Sequence, residues 1–208
     1  MTSRGSRPGG RTARTSEAVL DATIAELAER GYEGLSVESV ARRAGIHKTT
    51  LYRRWETRDG LVVAALADAA ERRTAVPDTG DIELDLRALA RAVRKTLRSE
   101  AGAAVVRALV AGSASSESAR AVARRFWAAR MIETRPIIER AIARGDLPTG
   151  TDPDQVLMYV SAPLYQCLLV TAQPLTEAVA DAAAAAAYAA ASAGVFRRRT
   201  GDRRSGPK

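Results

Sequence analysis

The sequence predicts an all-helical protein, and three observations carry the prediction. Of the 208 residues, 43 are Ala, the strongest helix former, within an apolar share of 46% that is ordinary for a folded chain. The 8 Pro stand mostly at segment edges, where a helix starts or stops. No sustained alternation of Val, Ile or Thr with polar residues appears, which argues against a sheet. The length suits one or two domains, with a core assembled largely from small side chains.

Pro, Gly and caps divide the chain into about nine helical segments. Residues 1–15 read as a disordered basic arm. The first segment covers about 16–30, with Leu20, Ile24 and Leu27 on one face and Gly31 as its stop. A second, short one begins at Ser36, whose hydroxyl can accept from an orphan N–H of the first turn, and ends at Gly45. Residues 47–54 form a third, and Thr57 starts a fourth that runs to about 74. The first domain is therefore read as 16–62.

Past Val76-Pro77-Asp78-Thr79-Gly80 the segments lengthen. Ile82, Leu86, Leu89, Val93 and Leu97 recur at helical spacing and show one stripe to a core. Further helices are read at about 102–112, 116–144, 152–172 and 176–195, with a bend expected at Arg135-Pro136. Asp152-Pro153-Asp154-Gln155 marks a helix start, with an Asp cap, Pro at the first helical position and Gln three residues after the cap. Residues 63–196 form the second expected domain and 197–208 a disordered basic tail. Residues 155–176 carry no charge, a length that could span a bilayer, but the polar side chains and Pro within them favour a helix buried on two faces, against its own domain and against a second copy.

Composition excludes several kinds of chemistry. A single thiol, Cys167, cannot form an intrachain disulfide, and one His with one Cys cannot make a zinc finger. No Gly-x-Gly-x-x-Gly or Walker-type phosphate loop appears, so no cofactor, metal or catalytic residue is expected. The first 16 residues hold no apolar stretch of the signal-peptide kind, which gives a cytoplasmic expectation. The net charge of +8 is concentrated in residues 1–14 and 197–208, leaving a nearly neutral body, and only three of the 32 basic residues are Lys. Charge alone is thus weak grounds for a nucleic-acid partner.

The motif between Ser36 and Trp55 is far more informative. Val37, Val40, Ala41 and Ala44 give the first short helix an inward face, Gly45 permits a positive-φ turn, and Ile46, Leu51 and Trp55 seat the second helix. That is a helix-turn-helix. Its second helix must turn Lys48, Thr49, Tyr52 and Arg53 outward, and such a helix fits the major groove of B-DNA. Lys48, Thr49 and Tyr52 sit toward the bases, whereas Thr50, Arg53 and Arg54 are better placed for phosphates. Arg58, in the first turn of the next helix, can hold another phosphate together with that helix's N-terminal N–H groups. His47 is either an exposed turn residue or a phosphate contact.

Residues from about 17 to 66 resemble the N-terminal domain of tetracycline-repressor (TetR) family transcriptional regulators. The likeness rests on the first-helix stripe, Gly31-Tyr32-Glu33-Gly34-Leu35-Ser36, Val40-Ala41-Arg42-Arg43-Ala44-Gly45-Ile46, Thr50-Leu51-Tyr52, and Trp55 followed by Arg58 and Leu61. His47 stands where the family often has Ser, and Trp55 where Phe is commoner. The remainder resembles the family's ligand-binding and dimerisation domain in length and helix count. The resemblance implies a homodimer whose Lys48, Thr49, Thr50, Tyr52 and Arg53 contact a palindromic DNA operator, with Ser36 and Arg58 on phosphates. It also implies a small-molecule effector whose binding changes the spacing of the two DNA-reading heads.

Phe126, Trp127, Met131, Met158, Tyr159 and Tyr165 are the notable large side chains of the C-terminal part, and with Gln166 they are either core or the lining of a pocket for an apolar or aromatic effector. The Ala-rich segment from Ala178 to Val195 allows close helix approach and, paired with the segment at 152–172, can form half of a four-helix bundle across a two-fold axis. Two other readings stand beside the regulator: a protein that binds DNA nonspecifically through its basic ends, and an all-helical enzyme acting on a hydrophobic substrate.

Overall fold

In the computed structural model, which describes residues 9–71 and 76–198, the described residues form nine α-helices and no strand. They are α1 (Gly9–Gly34), α2 (Val37–Ala44), α3 (Lys48–Trp55), α4 (Arg58–Glu71), α5 (Ile82–Arg98), α6 (Glu100–Ser115), α7 (Glu117–Arg144), α8 (Pro153–Gln166) and α9 (Glu177–Ser192), with one π-helical turn, Cys167–Thr171, closing α8. Residues 1–8 and 199–208, most of the expected basic arm and tail, lie outside the described residues. Among the described residues no helix is long and apolar enough to cross a membrane.

The described residues form two compact units, one of residues 9–71 with 99–129, the other of 76–98 with 130–198. In the first, α1 packs against α2, α4 and α6. Its core is built from Val19 and Leu27 of α1, Leu35, Val40 of α2, Leu51 of α3, Leu61 and Leu66 of α4, Leu109 of α6 and Val122 of α7. Leu20 and Ile24, read as part of the inward face, lie partly buried at its edge. Helix α1 starts at Gly9, well before the residue 16 inferred from apolar spacing, so part of the arm expected to be disordered is helical. Residues 9–15 place no large apolar side chain on a stripe, and periodicity therefore has nothing to register there. Gly31 leaves helical backbone at φ 69°, in keeping with the stop read at that position.

In the second unit α5, α8 and α9 pack together. Ile82, Leu86, Leu89 and Leu97 of α5 are buried as their spacing requires, and Ala180, Ala183, Ala184, Ala187 and Ala191 form the inward face of α9. Arg91 grips Asp181 through two bonds of 2.7 Å, and the Arg94 guanidinium donates to the Leu175 carbonyl at 2.8 Å, which fixes the turn between α8 and α9 to α5. Asp152 caps α8 by accepting from the Asp154 N–H, with Pro153 opening the helix. Pro136 sits inside a helix that runs without interruption from Glu117 to Arg144. Cys167 is buried in the π-helical turn.

The chain beyond α9 is ordered further than expected. Arg197 forms a bridge with Thr151, the Arg198 N–H donates to the Gly150 carbonyl at 2.9 Å, and the Arg198 guanidinium lies 3.2 Å from Asp152. Phe196 is buried, its ring 4.9 Å from that of Tyr159. Two residues assigned to a disordered tail, Arg197 and Arg198, therefore clasp the start of α8. Burial raises the Asp152 carboxyl, but the Arg198 bond and the Asp154 N–H outweigh it and leave it below the usual carboxylate range.

Candidate nucleic-acid interface

Helix α2 is set by reciprocal caps. The Ser36 hydroxyl accepts from the Ser39 N–H at 3.0 Å, and the Ser39 hydroxyl accepts from the Ser36 N–H at 3.3 Å, so Ser39 serves where Glu or Gln is usual. Gly45 ends the helix in the left-handed region at φ 68°, and the chain then turns into α3. His47 has the extended backbone of an N-cap but gives no side-chain cap bond, a consequence of its departure from Ser. His47 itself is exposed.

Leu51 is the anchor of α3, 1% exposed in the core, with Ile46 and Trp55 packed at its margin. Lys48, Thr49, Tyr52, Arg53 and Arg54 are consequently turned to solvent, and Thr50 is half-buried. Tyr52, at 46%, is among the most exposed large side chains of the first unit. The result is a short rod with three cations, two hydroxyl-bearing Thr and one phenol along its free side. Its ammonium at Lys48 lies 3.7 Å from Glu38, an exposed pair of little strength that a phosphate can replace. The Arg54 guanidinium rests 5.2 Å from the centre of the Trp55 ring. Thr15, Ser16 and Val19 of α1 line a groove together with Ile46, Thr50, Arg53, Arg54 and Trp55. Sequence reasoning left Thr15 and Ser16 unnoticed, because nothing in their local pattern pairs α1 with α3.

The rod is braced from behind. Arg43 of α2 reaches Glu29 with two bonds, 2.8 and 2.5 Å, and lies 3.0 Å from the buried Glu26, so that α1 and α2 are clamped by charge as well as by packing. The Arg43 bond holds the Glu29 carboxyl below its ordinary range. At the start of α4, Thr57 accepts from the Gly60 N–H at 3.0 Å. A Cβ at Gly60 would come within 2.8 Å of the Trp55 carbonyl oxygen, so the tight junction between α3 and α4 requires Gly there.

Arg58, half-buried in the first turn of α4, lies over the Tyr32 ring at 4.4 Å. The Tyr32 hydroxyl donates to Asp59, as does the hydroxyl of Ser118 from α7, and the two hydroxyl oxygens are 2.9 Å apart. Burial would raise the Asp59 carboxyl, yet these hydroxyls and the nearby Arg58 and Arg125 hold it below its usual value, while burial and the Asp59 bond push the Tyr32 phenol up. Tyr32 was read only as part of a family pattern, and its partners Asp59 and Ser118 carried no sequence signal.

The residues considered for an effector pocket fall in different places. Phe126 and Trp127 belong to the first unit and meet edge to face at 4.8 Å. Met131, Met158, Tyr159, Tyr165 and Gln166 belong to the second. There Met158 and Tyr159 are half-exposed and Gln166 is exposed on the outer side of α8, whereas Tyr165 is turned inward and burial pushes its phenol up to about 12, against the opposing effect of Arg130. Arg130 is itself paired with Glu133 at 2.5 Å.

Comparison with known proteins agrees with this architecture. Residues 19–65 match the family described as bacterial regulatory proteins, tetR family, and residues 76–187 match the tetracyclin repressor-like C-terminal domain. The chain is 37% identical over 154 residues, 74% of each chain, to the HTH-type transcriptional regulator AqdR of Rhodococcus erythropolis. It is 42% identical over 72 residues, 34% of this chain and 38% of the other, to the DNA-binding transcriptional repressor TetR of Mycobacteroides abscessus. Among solved structures, the TetR family transcription regulator SCO0332 superimposes with a TM-score of 0.71 at 25% identity, covering 85% of this chain and 97% of that one. With a helix-turn-helix whose polar side is free and two family domains that together span most of its length, the chain belongs to the TetR family and is a helix-turn-helix transcriptional regulator.

Proposed function

We propose that the protein is a homodimeric repressor that binds a palindromic operator through α3 and is released by a small apolar or aromatic effector. The observation that carries the reading is the division of α3: Leu51 sunk in the core at 1% exposure, with Lys48, Thr49, Tyr52 and Arg53 on the opposite, open side. Lys48, Thr49 and Tyr52 read base edges, whose donor and acceptor pattern in the major groove separates all four base pairs. Thr50, Arg53, Arg54 and Arg58 hold phosphates, with Ser36 at the start of α2 and His47 at the turn beside them.

Dimerisation runs through α8 and α9. Each buries one apolar face in its own unit and leaves a second uncovered: Met158, Tyr159, Leu169 and Val170 at and beyond α8, and Ala178, Ala182, Ala185 and Ala189 on α9. A stripe of Ala lets a second copy's backbone approach closely, as a four-helix bundle across a two-fold axis requires. The effector is read as apolar because the large side chains of the C-terminal half, the half-buried Met131 and Tyr165 among them, are apolar or aromatic. A gel-shift with the upstream DNA of its own gene tests the reading. Preference for a palindrome over random duplex, with affinity falling steeply as salt rises, is the expected result. Equal binding of both duplexes contradicts it.

A further inference from the structure

Arg58 is a long, flexible side chain at the edge of the DNA-reading surface, and its usefulness to a phosphate depends on how firmly it is aimed. Its guanidinium is placed over the Tyr32 ring at 4.4 Å, a cation–π geometry. That ring cannot swing aside, being only 2% exposed. At its far end the phenol is tied down as well, donating to Asp59, which also takes the Ser118 hydroxyl. Asp59 lies 3.8 Å from the Arg58 Nε, too long for a hydrogen bond, so the carboxylate steadies the charge without occupying its donors. Three helices, α1, α4 and α7, thus converge on one cation, and all three groups lie in the first compact unit.

We infer that Tyr32, Asp59 and Ser118 are positioning residues for DNA binding: the hydroxyl–carboxylate cluster fixes the Tyr32 ring, and the ring presents Arg58 to a backbone phosphate. The inference rests on the reading of Arg58 as a phosphate ligand. A guanidinium already held in its bound direction loses less freedom when the phosphate arrives, and loosening any member of the cluster weakens the contact although none of the three touches DNA. Ser118 makes the grip dependent on the start of α7, a helix with no part in the helix-turn-helix.

The test measures operator affinity against salt for the full-length protein, using a duplex that the wild type has selected from random DNA. Arg58→Ala should lower affinity about tenfold and reduce the slope of log affinity against log salt by about one for each protomer, the signature of one lost phosphate contact. Tyr32→Leu should reproduce that slope change and cost nothing further in the Arg58→Ala background, an outcome a purely structural role would not give. Tyr32→Phe and Ser118→Ala, which keep the ring and the core, guard against misfolding of Tyr32→Leu; each should lose about threefold in affinity. The inference is overturned if both retain wild-type affinity, or if folded Tyr32→Leu keeps the full salt slope or adds its loss to that of Arg58→Ala. An unchanged Arg58→Ala protein overturns both the inference and the phosphate reading beneath it, so the two failures are told apart.

Discussion

Leu51 and Tyr52 are adjacent in the chain and carry separate tasks. Leu51→Ala removes a side chain that is 1% exposed and should cost about 2–5 kcal/mol of stability, read as a lowered denaturation midpoint. Tyr52→Ala and Lys48→Ala, both on the open side, should leave stability within about 0.5 kcal/mol of wild type while weakening DNA binding by about 1–3 kcal/mol each, read by gel-shift beside thermal melting. The pH dependence has a definite sign at Asp59. Its carboxyl is held below the ordinary range of an Asp, so its contribution is fully present above that range and disappears as the pH falls through the lower folded value. Asp59→Asn should therefore flatten the acid limb of the stability profile. The exposure of Lys48, Thr49, Tyr52 and Arg53 was legible in the sequence because the inward residues Ile46, Leu51 and Trp55 leave only one side for them. The Tyr32, Asp59 and Ser118 cluster was not, since its members are 27 and 59 residues apart along the chain and nothing local links them.

At the scale of the element, caps and turns give testable contributions. Ser36→Ala removes the acceptor for the Ser39 N–H and should cost about 1 kcal/mol, with Ser36→Gly milder. Gly45→Ala places a Cβ in open space, so its expected loss of about 1–2 kcal/mol comes from the backbone alone, at φ 68°. Both are checked by chemical denaturation. Of the helix starts that depend on such chemistry, Ser36 before α2, Thr57 before α4, and Asp152 with Pro153 before α8 were legible, whereas Ser99, whose hydroxyl accepts from the Gly102 N–H at 3.1 Å and caps α6, was missed. Boundaries without an apolar or capping signal were not legible. The early start of α1 lacks a stripe, and the π-helical turn at Cys167–Thr171 follows from how α8 ends rather than from residue spacing. The clasp of Arg198 on Asp152 joins positions 46 apart, and a run of Arg read by composition gives no hint that its first members are ordered.

At the scale of the molecule, the proposed function rests on a dimer formed through the outer faces of α8 and α9. Ala182→Glu puts a charge on the uncovered face of α9 without disturbing the buried one, and should shift the protein toward monomer in sedimentation while its helix content is retained. The change in segment length near Pro77 was legible, although the halves were read as 16–62 and 63–196, whereas the first compact unit also takes in residues 99–129. Which helices complete each core was not, because α6 joins α1 through residues far away in sequence. Two α3 helices in a two-fold dimer read inverted half-sites about 34–36 Å apart, one turn of duplex. The most direct measurement is selection of duplexes from random DNA by the full-length protein, run beside the Lys48→Ala/Tyr52→Ala double variant. Enrichment of inverted half-sites at that spacing by the wild type, with none by the folded double variant, is the predicted result. Selection of no sequence, or the same enrichment by both proteins, would contradict the role assigned to α3.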